Sequence, residues 1–412
     1  MKVSILTLGC KVNQTESAVI EGNLRHYGVE IVDLNNNPDC CVINTCTVTA
    51  RSDYQSRQLI RRALRTGARV IVTGCYSQLR SEEIKKIEGS VDIIDIDNKY
   101  IIVNKLINQI ASNNLSCNQR ARPNIKVQDG CNNACTYCIV PKARGRSRSV
   151  PVSDILEQAL VFERQGYREI VLTGIHLGLY GHDLKPKLKL SHIIQTILNK
   201  TSYLRIRLSS LEVNEIDTDL IELLQDKRVC RHLHIPMQSG DDNVLMNMNR
   251  KHTSAEYLRI LESIMRIYPD IALGTDVIVG FPGEGEREFR NTTRILELLP
   301  LSYMHIFPFS PRPGTAAVEM RLQNSVSVKK ERMAILKALH IRKQQAYLNS
   351  QIGKRLDVIV EEQVTENTVI GTSSNYLKIL VHENNHLKKT LVHIKVAGIE
   401  GNQLQGTPID LR

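Results

Sequence analysis

No stretch of this 412-residue chain approaches the roughly 18 uncharged apolar residues that a membrane-spanning helix needs. A secretory leader is missing as well. Met1–Leu8 offers only a short apolar run before Gly9-Cys10-Lys11, with no small-residue cleavage site, so a cytoplasmic protein is expected. Internal repeats and low-complexity segments are absent, which leaves no sign of a solenoid or a long disordered arm. Ten cysteines are too sparse here for a disulfide scaffold, which concentrates Cys in short secreted domains; reduced thiols, some of them holding metal, are expected instead. Acid is also in short supply. Asp+Glu number 43 against 54 Lys+Arg, and the resulting +11 points towards a polyanionic partner. With 42% hydrophobic and 24% charged residues the chain is globular, and its length calls for two or three domains.

Three regimes follow along the chain. Residues 1–120 alternate short strands (Val3–Leu8, Cys41–Asn44, Val70–Thr73, Ile93–Ile96) with helices (Glu16–His26, Asp53–Arg65), the pattern of a doubly wound parallel α/β domain. The polar stretch Asn113–Pro123 reads as a linker. Residues 121–351 repeat the alternation through six strands: Ile125–Gln128, Glu169–Thr173, Tyr203–Ser209, His232–Pro236, Asp276–Val279 and Tyr303–Pro308. Helical stretches at Val152–Gln165, Ser254–Tyr268 and Glu286–Leu299 lie between them, which fits a partial TIM-type barrel of six βα units. A basic helix, Val326–Gln351, then leads away. Residues 352–412 show short strands (Asp357–Glu361, Leu377–Val381, Thr390–Val396) and no helical period, as a small antiparallel β-barrel would.

The strongest local signal is Cys131-Asn-Asn-Ala-Cys135-Thr-Tyr-Cys138, on the loop leaving the first barrel strand. Three thiolates at this spacing can wrap one iron–sulfur cube and leave one iron without a cysteine. Zinc is the alternative, but it prefers four protein ligands and no partner pair follows at the usual distance. A second set is dispersed. Gly9-Cys10, Thr45-Cys46 and Gly74-Cys75 each follow a strand and precede a helix, so all three open at the carboxyl edge of a parallel sheet, where ligands bind. Singly each would read as a small core residue; together they suggest a second cluster with an open iron. Cys40, Cys41, Cys117 and Cys230 match no motif and read as structural.

A CxxxCxxC with Tyr137 before its third cysteine, opening a six-unit barrel, resembles the radical S-adenosylmethionine superfamily. Two three-cysteine sites in this order resemble its methylthiotransferase branch, and most nearly the tRNA threonylcarbamoyladenosine methylthiotransferases. The stretches that carry the likeness include Gly9–Ser17, Asn44–Thr49, Gly74–Gln78, Gln128–Pro141, Thr275–Glu284 and Phe307–Thr315. The resemblance implies two 4Fe–4S clusters, S-adenosylmethionine as cofactor and a C-terminal TRAM domain. It further implies S-adenosylmethionine cleavage at Cys131, Cys135 and Cys138, hydrogen abstraction from C2 of a modified adenine, and methylthio transfer from the Cys10, Cys46 and Cys75 cluster. Cofactor contacts are expected from Tyr137, Thr173, Gly174, Ser209, Ser210, Gln238 and Gly280. His176, His232 and His234 read as solvated or core residues, since abstraction by a carbon radical needs no base.

Charge narrows the partner. Residues 1–120 carry 15 basic and 12 acidic residues, residues 352–412 carry seven of each, and the stretch between holds 32 against 24. The excess therefore lies with the cysteine sites and not in the C-terminal barrel. Arg57, Arg61 and Arg65 share one helix face by their spacing, and Arg144 and Arg146 follow the CxxxCxxC. These are the expected clamps for a tRNA anticodon stem-loop. An electron donor, a sulfur source and a monomeric state complete the expectation. The alternatives are the same chemistry on isopentenyladenosine or on a ribosomal-protein aspartate, and, in another class, a non-catalytic iron–sulfur RNA-binding protein.

Overall fold

The structure, a computed structural model, describes residues 1–107, 120–382 and 388–409. Cys117 and positions 113–119 of the expected linker lie outside them. The first five strands are β1 (Lys2–Thr7), β2 (Glu30–Ile31), β3 (Cys40–Thr45), β4 (Arg69–Gly74) and β5 (Val91–Ile93). They form one parallel sheet in the order β2-β1-β3-β4-β5. Every residue of β3 is buried, as a central strand covered on both faces must be. Helix α1 (Lys11–His26) packs Ile20 and Leu24 with Cys40 and Val42, whereas α2 (Ala50–Leu64) packs Ile60 and Ala63 with Cys41 and Ile43. Alternation along β3 thus sends Cys40 and Cys41 to opposite cores, and burial raises both thiols, Cys40 to about 12. The expected strand at Ile93–Ile96 ends early. Asp95 caps a 3₁₀ turn over Ile96–Asn98 by accepting from the Asp97 N–H at 2.9 Å.

In the middle of the chain β6 (Asn124–Lys126) leads into an antiparallel pair, β7 (Gln128–Asp129) and β8 (Arg148–Ser149), that frames the CxxxCxxC loop. The other five barrel strands are β9 (Glu169–Thr173), β10 (Arg205–Leu208), β11 (His232–His234), β12 (Ala272–Val279) and β13 (Tyr303–Pro308). All six expected units are present, but as two three-stranded parallel sheets, β10-β9-β6 and β11-β12-β13. The seam lies between the shortest of these neighbours, and single bonds stitch it: Cys230 N–H to Ile206 O at 2.9 Å and Leu211 N–H to His234 O at 3.0 Å. The long helix Val326–Asn349 does not lead away. Leu336 and Leu339 are buried in the barrel's core, and Arg332 forms a buried 2.6 Å ion pair with Glu284. Among the described residues, no helix is long and apolar enough to cross a membrane.

The C-terminal strands β14 (Arg355–Thr365), β15 (Thr368–Ser373), β16 (Lys378–His382), β17 (Leu391–Glu400) and β18 (Gln403–Pro408) close a ring in the order β14-β15-β16-β18-β17. The β17–β14 pairing closes the ring, and β16 with β18 is parallel, so the barrel is not wholly antiparallel as expected. It docks on the central unit through Arg207, which donates to the Ser373 and Ser374 carbonyls at 2.8 and 3.1 Å.

Candidate active site

The dispersed cysteines converge. Cys10 and Cys75 stand at the starts of α1 and of α3 (Cys75–Leu79), and Cys46 directly follows β3. Glycine makes the approach possible. Gly9 and Gly74 both have φ near 100°, where a side chain is strained. A Cβ on Gly9 would lie 3.0 Å from the Cys46 sulfur, and one on Gly74 would lie 2.4 Å from the Thr45 carbonyl oxygen. Asn13 ties two of the loops, donating to Leu8 O at 2.7 Å and Thr45 O at 3.0 Å. Burial pushes the Cys75 thiol up to about 11, and the Cys46 thiol is also raised.

The second trio is held from several elements. Gln128 donates to Gly130 O at 2.7 Å and accepts from the His176 N–H at 2.8 Å, tying the start of the loop to the end of β9. His176 is neither solvated nor an inert core residue. Its Nδ1 lies 3.3 Å from the Cys131 sulfur and its Nε2 meets Glu215. Burial works against its charged form, but Cys131 and Glu215 outweigh that and carry it up to about 10. Arg250 reaches to 3.8 Å from the Cys135 sulfur while pairing with Glu212 at 3.0 Å. Burial raises the thiols of Cys135 and Cys138, the latter to about 12.

Thiols pushed up by burial are poor nucleophiles; a bound metal would hold them as thiolates. Two sulfurs on one zinc can be at most about 4.6 Å apart, twice the ~2.3 Å bond. Among the described residues neither trio gathers within 4.8 Å, and the group that does so is His234, Asp276 and His305. The spread therefore fits a multi-iron cluster better than a zinc ion. Asp276 accepts from His234 at 2.9 Å and His305 at 3.0 Å; these bonds outweigh burial and hold its carboxyl well below the usual range.

The expected cofactor residues fall into two groups. Ser209 and Ser210 line a cavity of about 1280 Å³ together with Cys10, Cys46, His232, His234, Tyr303, Phe307 and Phe309. Among the described residues the Ser209 hydroxyl, buried there, has no hydrogen-bond partner, which leaves an open position for a ligand hydroxyl. Tyr137 packs edge-on against Phe281, and Phe281 against Phe309 in the cavity wall. Gly280 has φ 70°, and the Lys329 stem occupies the space where its Cβ would be. Gln238 has φ 67° and pairs with Val277. Thr173 and Gly174 lie at the other end of this arc, beside Gln128, with the Thr173 carbonyl accepting from the Val127 N–H at 2.9 Å.

The expected arginine clamps need correction. Arg144 is only 2% exposed. It donates to Glu16 at 3.0 Å, to Asp129 at 2.9 Å, to Asn13 and to the Cys75 sulfur at 3.3 Å, so it joins the two cysteine sites and is not free for RNA. Glu16 also meets Lys99 and Lys126; burial works against its charge, but these cations hold it well below the usual carboxylate range. Arg57 donates to the Tyr76 hydroxyl at 3.1 Å and meets Glu83 at 3.5 Å. Arg61 and Arg65 are exposed but stand at the wrong edge. Because α2 runs back against the strands, they lie beside Arg69 and Asp92, where β4 and β5 begin. Arg146 remains exposed beside the loop. The sequence reading missed five residues that hold these sites. Glu16 and Gln128 lie inside motif stretches but carry no role legible in the sequence, and Glu212, Glu215 and Arg250 belong to no local pattern at all.

A six-stranded radical-type barrel with a three-cysteine loop, joined to a second three-cysteine site, defines an iron–sulfur enzyme class. A profile described as the radical SAM superfamily matches residues 125–296, and one described as the uncharacterized protein family UPF0004 matches residues 2–95. The chain is 37% identical over 433 aligned positions to a Bacillus subtilis protein named threonylcarbamoyladenosine tRNA methylthiotransferase MtaB, covering 98% of this chain and 96% of that one. An Aquifex aeolicus protein of the same name is 36% identical, covering 92% and 98%. Proteins named tRNA-2-methylthio-N(6)-dimethylallyladenosine synthase match at 28–31%. The fold resembles a radical S-adenosylmethionine methyltransferase from Kitasatospora setae, with TM-score 0.54, 14% identity, and coverage of 74% and 72% of the two chains. The chain belongs to the radical S-adenosylmethionine methylthiotransferase family. That membership brings S-adenosylmethionine and two 4Fe–4S clusters as its cofactors.

Proposed function

We propose that this enzyme attaches a methylthio group to C2 of N6-threonylcarbamoyladenosine beside the anticodon of tRNA. The observation that carries the reading is the pairing of two three-thiol sites, one at the edge of a parallel sheet and one on a barrel loop, joined by Arg144 and each ready to hold a cluster with an open iron. The groups supply, when bound, a 5′-deoxyadenosyl radical from S-adenosylmethionine at Cys131, Cys135 and Cys138 and sulfur at Cys10, Cys46 and Cys75. The protein's own part is to hold, orient and exclude water.

Gln128 and His176 fix the cysteine loop against β9, where Thr173 and Gly174 would meet the methionine end of S-adenosylmethionine. The unpartnered Ser209 hydroxyl and Ser210 would take its ribose, and Gln238 and Gly280 complete the cradle. Phe307, Phe309 and Tyr303 give the substrate base a flat, apolar wall that keeps water from the reacting carbon. Arg146 would meet the RNA backbone, and the closed C-terminal ring would act as a TRAM-type RNA-binding domain. A cytoplasmic monomer that draws electrons and sulfur from separate donors completes the reading. Mass spectrometry of tRNA nucleosides from a deletion strain tests it. The 2-methylthio form of threonylcarbamoyladenosine should vanish while that of isopentenyladenosine persists; the reverse loss would overturn the substrate.

A further inference from the structure

The cavity that holds Cys10 and Cys46 is short of negative charge. Lys11, Arg51, Lys329 and Lys330 all line it, and among the described residues none of these four has a carboxylate within 4.0 Å. Among the described residues the one acid in its lining is Asp276, already bonded to His234 and His305. The remaining wall is largely apolar and aromatic. Such a site suits a flat, apolar ligand that carries an anion of its own.

The four cations are not equivalent. Arg51 and Lys330 are exposed at the rim, where phosphates would pass, and the Lys329 ammonium sits 5.2 Å from the Phe309 ring centre, against a partner face. Lys11 is half-buried at the first position of α1, one residue from Cys10, and it faces both this cavity and the neighbouring one of about 760 Å³. Transfer to C2 requires the adenine to approach the Cys10, Cys46 and Cys75 site. The N6 substituent, on the same six-membered ring, is then carried close to Lys11. A threonylcarbamoyl group ends in a carboxylate; a dimethylallyl group is a neutral hydrocarbon. We propose that Lys11 receives the carboxylate of the threonylcarbamoyl group and thereby selects this substrate against one with an uncharged N6 substituent.

The inference rests on the substrate reading given above. An anion there supplies the counter-charge that Lys11 lacks, whereas a hydrocarbon leaves a half-buried ammonium unpaired. The test uses the full-length, cluster-loaded enzyme and three anticodon stem-loops of one sequence, bearing threonylcarbamoyladenosine, dimethylallyladenosine or plain adenosine. Dissociation constants are measured for wild type, Lys11→Met, Lys11→Gln and Lys11→Arg. Loss of the ammonium in Met and Gln should weaken the threonylcarbamoyl loop about tenfold or more while moving the other two loops less than about twofold; Arg should keep the preference. An equal loss on all three loops would assign Lys11 to a phosphate and overturn the proposal, as would no loss on any. If wild type itself neither prefers nor methylthiolates the threonylcarbamoyl loop, the substrate reading falls. If wild type does both and the variants lose all loops equally, only the role of Lys11 falls.

Discussion

The two cysteine trios are assembled by opposite routes. Cys131, Cys135 and Cys138 sit within eight residues on one loop, and their placement depends on a local frame of β7, β8, Gln128 and His176. Cys10, Cys46 and Cys75 come from three loops of one sheet, and they meet only because β1, β3 and β4 are parallel neighbours and two glycines allow close approach. The first trio is a motif; the second is a consequence of topology. Each also receives an arginine that is itself neutralised, Arg250 by Glu212 and Arg144 by Glu16 and Asp129. Donation to a cluster sulfur tunes potential, and a paired arginine does so without leaving a bare charge.

Separate removal of each trio has the largest expected effect on this contrast. The loaded protein should hold about eight irons, and replacing either trio by alanine should leave about four. Iron analysis together with absorbance spectra would report it, and a complete loss from either triple variant would show the sites to be interdependent. Next is Glu16→Gln. It leaves Lys99, Lys126 and Arg144 without their shared carboxylate and should cost about 3–5 kcal/mol in thermal or denaturant unfolding. Because Glu16 is held below its ordinary value of 4.5, its contribution is present above that pH and is lost as pH falls through its lower folded value. Wild type should therefore lose its margin over Glu16→Gln in acid, which melting curves at descending pH would show.

Smaller still is Gly74→Ala. A backbone conformation that only glycine adopts freely, and a Cβ 2.4 Å from the Thr45 carbonyl oxygen, should cost about 3 kcal/mol and lower iron at the dispersed trio only. Equal iron loss at both sites would blur the distinction between motif and topology. The mildest change is Arg250→Met, which removes a donor from Cys135 and should make the barrel cluster harder to reduce without altering iron content. Redox titration followed by electron paramagnetic resonance measures it.

Much of this was legible because strand-to-helix loops have a defined position in a parallel sheet. Cys10, Cys46 and Cys75 could be brought together from that rule alone, before any contact was known. Side-chain pairing was not legible. Arg144 looks like one of a basic run until Glu16, far upstream, is found beside it, and burial then reverses its role. Arg61 and Arg65 share a helix face as their spacing implies, but the direction of α2 carries them away from the cysteines. β15 and β18 went unread because the glycines Gly371 and Gly406 interrupt their apolar alternation. The helix Tyr100–Ile107 is apolar on most of its surface and gives little period to detect.

The division of labour between the two trios is tested most directly by one assay on Cys75→Ala. The variant is reconstituted anaerobically with iron, sulfide, S-adenosylmethionine, a reductant and a threonylcarbamoyladenosine stem-loop, and both products are followed by mass spectrometry. Release of 5′-deoxyadenosine should continue while methylthiolated nucleoside falls to background. Methylthiolated product from this variant, or loss of 5′-deoxyadenosine along with it, would contradict the account.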